Sequence, residues 1–359
     1  MLIYLIVLVI VVSAVYAARR SKSAVISWFL IGIALATMVL TGGLRDRTVG
    51  TDTGYYVMDF DHVRTFASVI ANGRDKGEYG FWALVWLVHL FSDQYVYFLL
   101  AVTLLFVTCH LWAMDLYSKQ IEISFFFFIT AGIYVTCFNA ERQAVACAIY
   151  ALAVGPLIKG NFKKYLGWVL VASLFHQTAL VAIPAYFVMR RPVTARNYAI
   201  IALIGIVTVV FFHGIMSVAT GFGKSYSDYT SHTETEGAGY TTIAVDVLTA
   251  AFFVFFRKSI HIYRDEYDLF LNMFLFAFMI EIVTVFLGTD PSGLRRLTYY
   301  FALSPLFVWP IIFKNLNDRL SKFVVGYSFV VCYMTYFVLT TQKFSNLVPY
   351  MFNSSVFTR

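Results

Sequence analysis

The stretch Leu44 to His62, LRDRTVGTDTGYYVMDFDH, gathers Arg45, Asp46, Arg47, Asp52, Asp59, Asp61 and His62 between two long apolar runs. Charge held that densely beside hydrocarbon is costly, which points to a function. Two further polar interruptions stand out. Glu141, Arg142 and Gln143 break an otherwise apolar region, and His176 lies at the centre of ASLFHQTALVAIP. Arginine suits phosphate, because its planar fork donates paired hydrogen bonds and stays charged. Histidine exchanges protons near neutrality, so His176 would take a hydroxyl proton or hold a phosphate. Asp52 follows Gly50 and Thr51 and would orient or activate a hydroxyl, with Asp46 and Glu78 as rivals. Gly50 would let backbone approach a ligand closely. Asp59 and Asp61 have acidic metal-motif spacing, but two carboxylates and one histidine are a thin ligand set, and no metal is expected.

The solvent of these residues follows from composition. Of 359 residues, 60% are hydrophobic and 13% charged, and the mean hydropathy is +0.74. A soluble domain carries about 25% charged residues, so a polytopic membrane protein is expected. The net charge of +7 is spread over short loops rather than one patch, which argues against nucleic acid and for a topology signal. Cys109, Cys137, Cys147 and Cys332 all lie in apolar runs without paired spacing and read as free thiols. Met1 to Ala18 lacks a positive n-region and is followed by Arg19, Arg20 and Lys22, so a retained helix with its N-terminus outside is expected.

Apolar runs fall near 1–18, 24–41, 79–91, 95–117, 123–138, 142–158, 164–190, 196–217, 241–257, 268–288, 296–313 and 323–341. If each crossed once, Lys159, Lys163 and Lys164 would lie outside, against the positive-inside bias. Two changes repair the pattern: 79–91 becomes an interfacial or re-entrant helix, and 164–190 a re-entrant hairpin of two half-length helices. The expected fold is therefore an all-α polytopic membrane protein of about ten full transmembrane helices in one integral membrane domain.

In this arrangement Arg45, Arg47, Arg142, Arg295 and Arg296 sit at the outer mouths of spans, together with the tip of 164–190. Headgroup anchoring would also place arginines there. Asp246 and Glu281, buried in apolar runs, would line a cavity or pair with these arginines. The loops at 42–78 and 218–240 are long and outer, the second rich in Gly, Ser and Thr. Tyrosines near this boundary, among them Tyr55, Tyr56, Tyr226, Tyr229, Tyr299 and Tyr300, form an interfacial belt, and some would stack on sugars.

The chain has no P-loop, dinucleotide fingerprint, nucleophile elbow or zinc-protease motif, so no cofactor is expected and any reaction must be driven by an activated group in its substrate. The run R-D-x-x-V-G-T-D-T-x-x-Y, present as Arg45, Asp46, Val49, Gly50, Thr51, Asp52, Thr53 and Tyr56, resembles the signature of the EpsG family, Wzy-like polymerases of exopolysaccharide and O-antigen. Glu78-Tyr79-Gly80, Asn139 with Arg142-Gln143, Leu174-Phe175-His176, and Arg295-Arg296-Leu297 with Tyr299-Tyr300 resemble the same family in the same order.

The resemblance implies a GT-C-like glycosyltransferase of the bacterial cytoplasmic membrane, with its active site on the periplasmic face. Its substrates would be undecaprenyl-pyrophosphate-linked oligosaccharides as donor and acceptor, and a chain-length regulator would be a possible partner. On this reading Arg45, Arg47, Arg142 and Arg295 hold pyrophosphate. His176 or Asp52 orients or deprotonates the acceptor, Arg296, Glu78, Tyr56, Tyr226 and Tyr229 contact substrate, and 218–240 acts as a lid or clamp. The rival readings are a flippase of lipid-linked oligosaccharide, which would want a charged central path and a repeat, and a membrane O-acyltransferase acting on the glycan.

Overall fold

The computed structural model describes residues 1–210, 240–286, 294–343 and 346–353. Helices α1 (Leu2–Arg20) and α2 (Ala24–Gly43) form a hairpin whose second arm starts where the Ser23 hydroxyl accepts from the Ile26 N–H at 3.4 Å. Three short helices follow in the polar loop: α3 (Thr53–His62), α4 (Phe66–Lys76) and α5 (Tyr79–His89). A Thr65/Ser68 capping box opens α4, and Gly77, in the left-handed region at φ +68°, closes it. Helix α6 (Tyr95–Tyr117) then runs back.

Several later runs are broken where single crossings were expected. Residues 123–138 divide into α7 (Ile121–Thr130) and a 3₁₀ turn, Tyr134–Phe138, with Gly132 at φ +81° between them. Residues 142–158 divide into α8 (Glu141–Ala151) and α9 (Val154–Ile158). The run 164–190 is a hairpin. Helix α10 (Phe162–Ser173), started by Asn161 capping the Lys164 N–H at 3.1 Å, stops before His176, and the chain returns through a 3₁₀ turn, Gln177–Val181, and α11 (Ala182–Met189). The remaining helices are α12 (Ala195–Val210), α13 (Tyr240–Phe256), α14 (Arg264–Phe286), α15 (Ser304–Asn315) and α16 (Arg319–Lys343), with a 3₁₀ segment, Leu294–Tyr300, before α15. Among the described residues, five helices are long and apolar enough to cross a membrane; the runs 79–91, 123–138, 142–158 and 164–190 are short or interrupted, and 196–217 extends outside the described residues. Half-helices of this kind persist only where neighbouring protein satisfies their free backbone groups.

Side-chain contacts sort the loops onto two ends. At one end Arg19 pairs with Asp115, Lys119 with Glu266 at 2.7 Å, and Arg190 donates to the Leu157 carbonyl at 2.6 Å. At that end too, Asn315 Oδ1 accepts from the His261 and Ile262 amides at 2.8 and 2.9 Å. At the other end Asp46 N–H donates to Met351 O at 2.8 Å, Thr51 N–H to Asn139 Oδ1 at 2.6 Å, and Gly80 N–H to Leu174 O at 2.8 Å. The basic loops thus share one end, and the polar motifs and hairpin tip share the other. An aromatic core joins them, with Trp309 stacked on Phe252 at 5.2 Å and tilted on Phe329 at 4.6 Å.

Candidate active site

Three carboxylates stand where helices begin, the end at which the backbone dipole favours negative charge. Asp52 and Glu78 occupy the N-cap positions of α3 and α5, yet neither side chain caps its own helix. Glu141 is the first residue of α8. Each reaches an arginine from elsewhere in the chain: Glu78 takes Arg142, Asp52 takes Arg296, and Glu141 takes Arg45. Four of the five arginines expected at the mouths are in such pairs, the fourth being Arg295 with Glu281 at 2.9 Å. Arg47 is exposed and has no carboxylate partner among the described residues.

Glu78 organises the most reactive group. Arg142 Nη1 donates to its Oε2 at 2.8 Å, and His176 Nδ1 is hydrogen-bonded to its Oε1. Glu78 is 3% exposed, His176 13% and Arg142 25%, so the carboxylate lies beneath while the imidazole and the guanidinium reach the surface. Burial opposes ionisation of Glu78, but the His176 hydrogen bond and the Arg142 charge outweigh it and hold its pKa below the ordinary carboxylate value. An ionised carboxylate can only accept, so Nδ1 carries the proton, and in the neutral ring Nε2 is the acceptor. Among the described residues Nε2 has no hydrogen-bond partner. Arg142 also faces the rings of Tyr56 and Trp82 at 5.8 and 6.0 Å, and its Nε has no hydrogen-bond partner. Burial pushes the Tyr56 phenol up to about 12 against the pull of Arg142, so it stands as a neutral donor.

The backbone explains why three distant segments meet here. The Gly80 amide is bonded to Leu174 O, and a Cβ on Gly77 would lie 1.7 Å from Gln177 Nε2. The left-handed φ of +68° at residue 77 favours glycine, and the end of the Gln177 side chain packs against it. Thr178 and Tyr300 hydroxyls, 2.9 Å apart, tie the tip to the 3₁₀ segment carrying Arg295 and Arg296. Gln143 Nε2 donates to the Arg296 carbonyl at 2.7 Å, so the residue after Arg142 bridges to the Asp52–Arg296 pair, whose charges are 3.5 Å apart.

Two expectations need correction. Arg45, expected to hold pyrophosphate, is fully buried, bonded to Glu141 at 2.6 Å, Thr53 at 3.3 Å, Cys137 O at 3.4 Å and Gly42 O. With no surface to offer a ligand, it braces the motif from within. Gly50, expected to admit a ligand, instead approaches its own chain: at φ +97°, a Cβ there would sit 2.4 Å from the Phe138 carbonyl. Tyr226, Tyr229 and nearly all of the loop 218–240 lie outside the described residues.

The segment 346–353 gave no signal in the sequence, yet it pins the motif. Gly50 N–H donates to Asn346 O at 2.9 Å, Asn346 Nδ2 to Thr48 O at 3.0 Å, and Arg45 and Phe352 form a β-bridge. Asn139 was legible only through the family pattern. It holds both the Thr51 amide and its hydroxyl, at 2.6 and 3.1 Å. Among the described residues no three His, Cys, Asp or Glu side chains gather as a metal site.

Fold and site together define a helical membrane protein whose polar centre is built from arginine–carboxylate pairs at interrupted helices. The chain belongs to the EpsG family, whose model matches residues 28–352. It is 24% identical over 334 residues to the amylovoran biosynthesis protein AmsC of Erwinia amylovora, covering 88% of this chain and 87% of that one. No solved structure matches it.

Proposed function

We propose that this protein is a polysaccharide polymerase of the bacterial cytoplasmic membrane, acting at the periplasmic face. It moves a growing glycan from undecaprenyl pyrophosphate to the non-reducing end of a lipid-linked repeat unit. The observation that carries this reading is the single carboxylate, Glu78, shared by His176 and Arg142. Family membership and the similarity to a protein named for amylovoran biosynthesis support it.

In the reaction, the acceptor hydroxyl gives its proton to His176 Nε2 while its oxygen attacks the donor anomeric carbon. The bond from that carbon to the pyrophosphate oxygen breaks, and undecaprenyl pyrophosphate leaves with the electron pair. Arg142, partly exposed and with unused N–H capacity, neutralises the developing charge, joined by exposed Arg47. Glu78 keeps His176 in the required tautomer, and Tyr56 donates toward the leaving group. Asp52, engaged with Arg296, positions the acceptor. The displacement inverts the anomeric centre.

The test is polymerisation by purified protein in detergent, given the lipid-pyrophosphate repeat unit. Wild type is expected to give a ladder of lipid-linked oligomers, and Arg142→Ala and His176→Ala none. Folded wild type that moves the lipid across liposomes without extending it would overturn the enzyme reading and leave a transporter.

A further inference from the structure

Beside the Glu78 centre lies a cavity of about 460 Å³, enclosed by α6, α7, α13, α14 and α16. This is in the range of small-molecule sites, roughly 300–1,000 Å³. Its mouth includes Thr51, Asn139 and Arg296, and its wall carries Asp246, Glu281, Arg295 and Tyr336. His110 lines the cavity from α6. None of these wall groups takes part in the transfer step described above.

One buried polar atom at this cavity lacks a partner, and two carboxyl groups share one cation. Glu281, its side chain 6% exposed, has Arg295 Nε at 2.9 Å from Oε1, but no hydrogen bond is directed onto that oxygen. His110 is 1% exposed. Its Nδ1 is hydrogen-bonded to the Phe106 carbonyl at 2.8 Å, and its Nε2 has no partner. A carbonyl only accepts, so Nδ1 is the donor and Nε2 of the neutral ring is an acceptor. Asp246 interacts with Glu281 across the same wall, so two carboxyl groups share the single Arg295 charge. Leaving an acceptor such as His110 Nε2 unmet in a low-dielectric interior is unfavourable.

A ligand that completes this wall must bring hydrogen-bond donors. Phosphate and pyrophosphate bring acceptors and negative charge to a wall that already holds two carboxyl groups, and its arginines, Arg295 and Arg296, are engaged by Glu281 and Asp52. We infer that the cavity is a glycan subsite that binds an uncharged, hydroxyl-rich sugar of the substrate, its hydroxyls donating to Glu281, Asp246 and His110. The inference rests on the polymerase reading for the source of the sugar. The shared mouth gives it a place in that reaction, since Arg296 also pairs with Asp52 and is bridged by Gln143 to the Glu78 centre. A sugar seated here would present its neighbour in the chain to His176.

The experiment uses the full-length protein in lipid nanodiscs and, as probe, the free repeat-unit oligosaccharide without lipid or pyrophosphate. Wild type is expected to bind it saturably by saturation-transfer NMR. Glu281→Gln should weaken binding about tenfold or more, since it replaces an acceptor oxygen with a donor. Ala277→Phe fills the cavity from α14 without removing a charged group and should act likewise, which guards against a folding defect in the first variant. Inorganic pyrophosphate should not displace the probe. Equal binding in both cavity variants, displacement by pyrophosphate, or no binding by wild type, as when water alone fills the space, would each overturn the subsite. Wild-type binding that fails in the cavity variants, without any polymer from wild type, would retain the subsite and reject the polymerase reading.

Discussion

Glu78 and His176 stand 98 positions apart in the chain, yet they are joined by a hydrogen bond to Nδ1. That bond fixes the tautomer, leaving Nε2 as the basic atom. A general base so placed contributes roughly 10²- to 10⁴-fold. Glu78→Gln is expected to reduce polymerisation by about that factor, because the amide can offer Nδ1 an N–H in place of an acceptor oxygen. Single-turnover rates with the repeat unit bound at saturation measure this, and an unchanged rate would remove Glu78 from the mechanism.

Arg45 and Glu141 behave differently. Both side chains are fully buried, so removing one charge leaves the other uncompensated, at a cost of about 3–5 kcal/mol. Arg45→Met and Glu141→Leu should each lower the thermal midpoint in detergent sharply. The double substitution should recover much of the loss, since an apolar pair leaves no stranded charge. A double variant no better than the sum of the singles would contradict a purely bracing role.

Acid should loosen the same centre through Glu78. Its folded pKa is depressed below its ordinary value of 4.5. Its ionised form therefore contributes stability that is fully present above that value and is lost as pH falls through the folded pKa. The thermal midpoint is expected to drop on acidification below about pH 4.5, more steeply in wild type than in Glu78→Gln. Parallel pH curves for the two proteins would show that the shift has no energetic weight.

Gly50→Ala addresses the turn beneath Asp52. The position combines φ +97° with a Cβ contact of 2.4 Å to the Phe138 carbonyl. Strain in sparsely populated backbone regions is about 1–3 kcal/mol, and the clash adds to it. Reduced thermal stability together with reduced polymerisation is expected, because Thr51 and Asp52 move with the turn. Unaltered melting of the variant would mean the turn relaxes freely.

The sequence by itself determined the solvent, the helical class and the order of the polar motifs. Hydrophobic runs of membrane length leave the backbone few alternatives to helix. Charge bias placed the break in 164–190, and the structure interrupts that run at Leu174–His176. Residue type marked Arg142, His176 and Glu78 as unusual, since ionisable groups are costly beside lipid wherever the chain carries them.

Only the tertiary structure decided what those groups meet. Arg45 and Arg142 look alike in the sequence, but one is sealed by Glu141 and the other is 25% exposed over Glu78. The distinction arises from packing between segments 96 and 64 positions apart, and no local pattern records it. The same holds for residues 346–353, whose Asn346 pins the turn at Gly50 through a backbone hydrogen bond that any sequence able to adopt the conformation can make, and through its side-chain amide, which donates to Thr48 O. Side-chain chemistry is written in the order of residues. Which donor finds which acceptor depends on how helices stop and cross, and that is a property of the folded chain alone.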